Sequence, residues 1–166
     1  MRKRENNLVT HPTDDLTYKI IGLAMEVHSR LGPGLKEEMY QSAMEERLEK
    51  SGLNYEPQKQ IEVYLGNKRL GLLFIDILVE QEVVVELKAL SHPLTNNEIA
   101  QVITYLKAEG AGVGLLLNFG RKYLEYKRVF PPKKIIEVSE KDLRFGVRLS
   151  TNKATNKRMG RTQYIR

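Results

Sequence analysis

LGLLFIDILVE (70–80) and EVVVELKAL (82–90) decide the fold of this chain. Val, Ile and Leu dominate both, the composition of central strands covered on two faces. Three charges interrupt them: Asp76, Glu86 and Lys88. Charges are costly to bury unless they are paired or bind a metal. Between the runs, Glu80-Gln81-Glu82 has the length of a three-residue hairpin loop. That register pairs Val79 with Val83 and sets Asp76 opposite Glu86, on one sheet face. The two-residue period adds Lys88 to that face. A two-residue turn would slip the register by one and send Asp76 to the other side.

Two facing carboxylates repel each other. They become favourable partners when they share a hard cation such as Mg²⁺, which takes carboxylate and water oxygens. Such an ion lowers the pKa of a bound water and stabilises charge on a phosphate. A lysine two residues along can hold or deprotonate the water, or meet the charge developing on phosphorus. The bland counterpart is a cross-strand salt bridge of Lys88 with Asp76 or Glu86. Three such charges together on buried-looking strands favour the metal-site reading.

Outward from the hairpin, the elements alternate in type. A helical period (Leu16, Ile20, Leu23, Val27) predicts a helix over 14–30, capped by Thr13 or Asp14 and stopped by LGPG at 31–34. A second helix is expected over 35–50, with Leu35, Met39, Ala43 and Leu48 on or near one face. Strands are expected at 55–65, 69–79, 82–90, 112–119 and 123–130, with a two-residue turn at Gly66-Asn67. SHPLTNNE (91–98) leads into a helix over 96–109, capped by Thr95 or Asn96 and closed by Gly110. Pro131-Pro132 breaks the pattern, and a short element is expected at 134–138. The order αα-βββ-α-ββ predicts one α/β domain with a mixed sheet flanked by helices. Residues 1–13 read as a disordered extension, 14–138 as the domain and 139–166 as a basic, flexible tail.

Composition limits the functional classes. With 166 residues and 41% hydrophobic content, the chain supports one core. No apolar run approaches the ~18 residues of a membrane span. The start, MRKRENNLVTHPTDD, has no apolar segment of a secretory signal. Zero cysteines exclude disulfides and thiolate metal sites and fit a cytoplasmic protein. Residues 1–119 carry 13 Lys/Arg against 17 Asp/Glu, whereas residues 120–166 carry 14 against 4. That basic third suits a polyanion, because phosphate contacts come mostly from Lys and Arg. Tyr123 and Tyr126, interleaved with Arg121, Lys122, Lys127 and Arg128, would suit a nucleic-acid surface. Edge strands also carry such charges simply to prevent aggregation.

Asp76 followed by Glu86-Leu87-Lys88 resembles the PD-(D/E)XK nuclease superfamily. GLKEEMY (34–40) resembles the signature of its prokaryotic GxxExxxY branch, and VHSRLGPG (27–34), LLFIDILVE (72–80), VVELKAL (84–90), AQVITYLK (100–107) and GLLLNF (114–119) are similar to successive blocks of that family. The likeness covers about residues 15–130. It implies a restriction-endonuclease-like αβββαβ core. Asp76, Glu86 and the Leu87 backbone carbonyl would ligate Mg²⁺, with Mn²⁺ as a substitute, and Lys88 would serve the water or phosphate. Glu37 would be the helix acid, direct or through water. Gln101 matches a glutamine beside the lysine, with Tyr105 one turn on, and Tyr40 is a further site-lining candidate. Asn118, at a strand end, is read from its position alone, either reaching a phosphate or capping a turn.

The residue before Asp76 is Ile75 rather than proline. The branch label has three residues between Glu and Tyr, and here Glu37 and Tyr40 enclose two. Glu38 is therefore the alternative helix acid. Glu37 is preferred for its distance from Gly34 and the face it shares with Tyr40. Among the histidines, His28 reads as a helix-end side chain satisfied by a backbone carbonyl.

The expectation is Mg²⁺-dependent hydrolysis of nucleic acid, DNA first, without a membrane partner. A homodimer would suit the cutting of two strands. The alternative is a non-catalytic nucleic-acid-binding or protein-interaction module that retains the fold.

Overall fold

The computed structural model describes residues 12–132, 147–151 and 163–165. Helix α1 (Pro12–Leu31) starts two residues before the expected position. Proline in a first turn is tolerated, since the N–H it lacks would be unpaired there. Helix α2 (Glu37–Lys50) buries Tyr40, Met44 and Leu48, spaced by four. Of the expected face, Leu48 is buried and Ala43 packs against the core, whereas Met39 is 52% exposed and Leu35 37%. The tyrosine, read above as a site residue, is the core residue.

Strands β1 (Tyr55–Leu65), β2 (Lys68–Val79) and β3 (Val83–Lys88) follow. Leu65 pairs with Lys68 across the Gly66-Asn67 turn. Val79 pairs with Val83 as the sequence predicts. Glu80 and Gln81 take left-handed backbones (φ 50° and 58°), and the Glu82 N–H closes the turn on the Val79 carbonyl at 3.0 Å. Helix α3 (Asn96–Glu109) begins at Thr95 in a capping box with Glu98. It ends at Gly110, whose φ of 73° needs no Cβ clearance. β4 (Val113–Asn118) then runs parallel to β3, and β5 (Glu125–Val129) antiparallel to β4.

These strands form one mixed sheet with helices on both faces. One core layer joins α1 and α2 to Ile77, Val79, Val83, Val85, Leu87, Leu115 and Leu117. The other joins α3 to Ile61, Ile75, Leu78, Val84 and Leu116. β4 is buried throughout and β3 up to Lys88, as two-sided coverage demands. The first half of β2 extends past the helices, leaving Leu70 and Phe74 exposed.

The sheet does not stop at β1. β6 (Val147–Thr151) pairs along Ile61–Leu65, and β7 (Gln163–Ile165) pairs with β6, giving the order β5-β4-β3-β2-β1-β6-β7. These two stretches lie in the segment read above as a flexible tail, and here they are strands. The reason is the long free edge of β1, whose unpaired N–H and C=O groups template further pairing. The expected element at 134–138 and most of the N-terminal extension fall outside the described residues. Among the described residues, no helix is long and apolar enough to cross a membrane.

Candidate active site

The β2–β3 ladder ends at Ile77↔Val85. One step further, the strands exchange a side-chain bond in place of a backbone one: the Leu87 N–H donates to Asp76 Oδ2 at 2.8 Å. That bond fixes the Asp76 carboxylate beside Glu86. Glu86 is 2% exposed. Its Oε1 accepts from Lys88 Nζ at 2.8 Å, while its Oε2 is buried without a hydrogen-bond partner. A lone buried carboxylate oxygen is costly, and it stands where an incoming cation would satisfy it.

The electrostatics follow from this crowding. Burial, and then the neighbouring Asp76, push the Glu86 carboxyl up to about 8 in spite of Lys88. Burial also raises Asp76, against the Leu87 N–H and Lys88. Burial works to lower Lys88, but its hydrogen bond to Glu86 and the charges of Glu37 and Asp76 outweigh it and raise the pKa. Lys88 is thus held as an ammonium, a donor rather than a base.

Glu37 opens α2 and reaches the same cluster. Burial raises its pKa, Lys88 opposes that, Asp76 adds to it, and the Ala89 N–H donates to it. Glu38 is exposed. Of the two alternatives, the helix acid beside Lys88 is therefore Glu37. From α3, the buried Tyr105 feels the Glu86 charge; burial first, then that charge, push its phenol up to about 12. Gln101 Nε2 donates to the Tyr105 hydroxyl at 2.7 Å. Gln101 thus enters the site through Tyr105.

Three other candidates have structural duties. Tyr40 is fully buried and stacks on Phe119 at 4.8 Å. Its hydroxyl donates to the Gly32 carbonyl at 2.6 Å and accepts the Leu35 N–H at 3.2 Å, which pins the turn ahead of Glu37. Asn118 Oδ1 accepts from the Leu90 and Gly120 N–H groups at 2.9 and 3.1 Å, and its Nδ2 donates to the His92 carbonyl at 3.1 Å. It caps the chain turns after β3 and β4 rather than reaching outward. His28 Nε2 lies 2.8 Å from the Arg121 carbonyl, the helix-end arrangement expected of it.

Gly120 presses against the segment after Lys88. A Cβ there would sit 2.4 Å from the Leu90 carbonyl oxygen, so only glycine fits. The 120–124 turn is held against the site end of the sheet by this contact, by Asn118 and by His28. On it, Tyr123 is 74% exposed with Lys122 Nζ 5.3 Å from its ring centre.

Sequence reading missed Gln41 and Gln58. Gln58 Nε2 donates to Gln41 Oε1 at 2.8 Å, Gln41 Nε2 donates to the Asp76 carbonyl at 3.3 Å, and Gln58 also hydrogen-bonds the Asp76 side chain. The only available signal was a pair of glutamines on elements flanking β2, and no charge marked it.

A family model of the PD-(D/E)XK nuclease superfamily matches residues 14–129. The chain belongs to the PD-(D/E)XK nuclease superfamily. No match is found among curated proteins or among solved structures. The superfamily match spans α1 through β5, so it contains the whole cluster described above. PD-(D/E)XK nucleases act on nucleic acid and generally depend on divalent metals. Among the described residues, no three His, Asp or Glu side chains gather tightly enough to enclose an ion unaided. The donor set nonetheless fits a hard cation in this PD-(D/E)XK domain: the Asp76 carboxylate, the orphaned Oε2 of Glu86, and backbone or water oxygens to complete the shell.

Proposed function

We propose that this chain hydrolyses phosphodiester bonds of nucleic acid, with DNA as the first substrate and Mg²⁺, or Mn²⁺ in its place, as the cofactor. The observation that carries this reading is the buried Asp76–Glu86 pair, with an unpartnered oxygen on Glu86 and an ammonium 2.8 Å from its other oxygen. Two carboxylates forced together under burial are stabilised by a shared divalent ion.

Asp76, Glu86 and the Leu87 carbonyl would hold the ion, with Glu37 directly or through water. When bound, it would lower the pKa of a water and stabilise negative charge on the phosphate. Lys88, kept protonated by its carboxylate neighbours, donates to a phosphate oxygen or orients the attacking water. Tyr105, bonded to Gln101, stands close enough to Glu86 to feel its charge. Lys122 and Tyr123 offer a cation and an exposed ring to the substrate strand. Arg121 and Arg128 are engaged with Glu125 and Thr17, so they contribute less to that surface than the sequence suggested.

The order of sequence blocks supports assignment to the prokaryotic GxxExxxY branch, with a cytoplasmic, homodimeric enzyme as the working form. The test is cleavage of plasmid, single-stranded DNA and RNA with Mg²⁺ or Mn²⁺, comparing wild type with Lys88→Ala. Loss of cleavage by at least about a hundredfold in the variant is expected. Equal cleavage by both would overturn the mechanism. Tight DNA binding with no divalent-ion binding in the millimolar range would favour the non-catalytic module.

A further inference from the structure

Gln58 has a left-handed backbone, φ 48°, inside a strand. Glu80 and Gln81 share that conformation, but they form a hairpin turn where it is routine. A strained non-glycine residue persists where its surroundings over-determine it, and such residues cluster at functional sites. The ladder shows what the strain accompanies. Pro57 pairs with Ile77 and Lys59 with Ile75, while Gln58 and Asp76 are skipped. Ile75 then packs in the α3 layer and Ile77 in the α1/α2 layer, although they are two residues apart. Strand alternation breaks at Asp76, directly across from the distorted Gln58.

The side chains at the break are connected. Gln58 hydrogen-bonds both the Asp76 side chain and Gln41 Oε1, the latter at 2.8 Å. Gln41 donates to the Asp76 carbonyl at 3.3 Å and to Glu45 Oε1 at 2.8 Å. Helix α2 thereby braces the distorted strand, and the strand braces the aspartate.

We propose that Gln58, held by Gln41, is a positioning residue that fixes the orientation of the Asp76 carboxylate. Its use to the enzyme rests on the reading of Asp76 as a ligand of a divalent ion. The competing account is a local strand distortion that merely bends the sheet, with an idle side chain.

Gln58→Gly separates the two, because it relieves the backbone and deletes the side chain together. Two measurements on the full chain read the result. The first is the amide proton shift of Leu87 in the metal-free protein, since that N–H donates to Asp76 Oδ2. The second is Mn²⁺ affinity by calorimetry. Gln58→Gly should melt at or above the wild-type temperature, move the Leu87 amide upfield with Val85 unmoved, and weaken Mn²⁺ binding about tenfold. Gln41→Ala should move both readouts in the same direction, and it serves if the first variant does not fold. A wild-type Leu87 shift in either folded variant would overturn the proposal even where Mn²⁺ binds. If wild type binds no Mn²⁺ but the Leu87 shift responds, the positioning role stands and the metal reading fails.

Discussion

Glu86 is where burial and charge conflict most. Its pKa of about 8 in the fold compares with a carboxyl's ordinary 4.5. Between those values the folded chain keeps a proton that the unfolded chain has lost, so stability falls as pH rises through the window. Asp76 and Glu37 are shifted upward as well and act in the same sense, whereas Lys88 titrates above the window. At about 1.4 kcal/mol per pKa unit, the loss amounts to a few kcal/mol. The metal-free wild type should therefore melt several degrees lower at pH 8.5 than at pH 5.5. Glu86→Gln, which carries no charge to bury, should flatten that dependence in a pH series of thermal melts. Asp76 behaves differently, because it supplies an acceptor to the Leu87 N–H. Asp76→Ala should cost about 1–3 kcal/mol in denaturant titrations by orphaning that donor, and Asp76→Asn, which keeps an acceptor, should lose less. The charges of the site were legible in the sequence because charge on an apolar strand is conspicuous. Gln58 was not: a left-handed φ leaves no mark on the pattern of side chains, and a glutamine in a half-exposed strand looks ordinary.

Among the elements, α3 was the most readable, since Thr95, Glu98 and Gly110 spell its ends chemically. Thr95→Ala removes the acceptor for the Asn97 N–H and half of the capping box. It should cost about 1 kcal/mol, or roughly 2–4 °C in melting temperature. α2 was less readable because it is rich in charge and low in apolar content, so its core face rests on Tyr40, Met44 and Leu48, with Ala43 packed beside them. Tyr40 spends its hydroxyl on the LGPG turn instead of the site. The β2–β3 register was predicted correctly from the length of the 80–82 loop. The bend that aims Asp76 lies on the other side of β2, in its pairing with β1, which the hairpin turn does not control.

At the scale of the molecule, element order fixed the mixed sheet and its helical layers in advance, since three strands, a crossover helix and a parallel return admit few arrangements. Composition hid β6 and β7: a basic, apolar-poor segment reads as coil, and only the open edge of β1 gives its backbone a partner. The order of strands also sets the layout of charge. Two carboxylates, Asp76 and Glu86, occupy the middle of the sheet, and Glu37 reaches them from the start of α2. The outer strands β5 and β6 carry Lys127, Arg128 and Arg148 against Glu125. A polyanion approaching the sheet is drawn to its borders and repelled from its centre. The borders can capture the strand at low ionic strength and lose it as salt rises, while the centre admits phosphate only after its own negative charge has been neutralised.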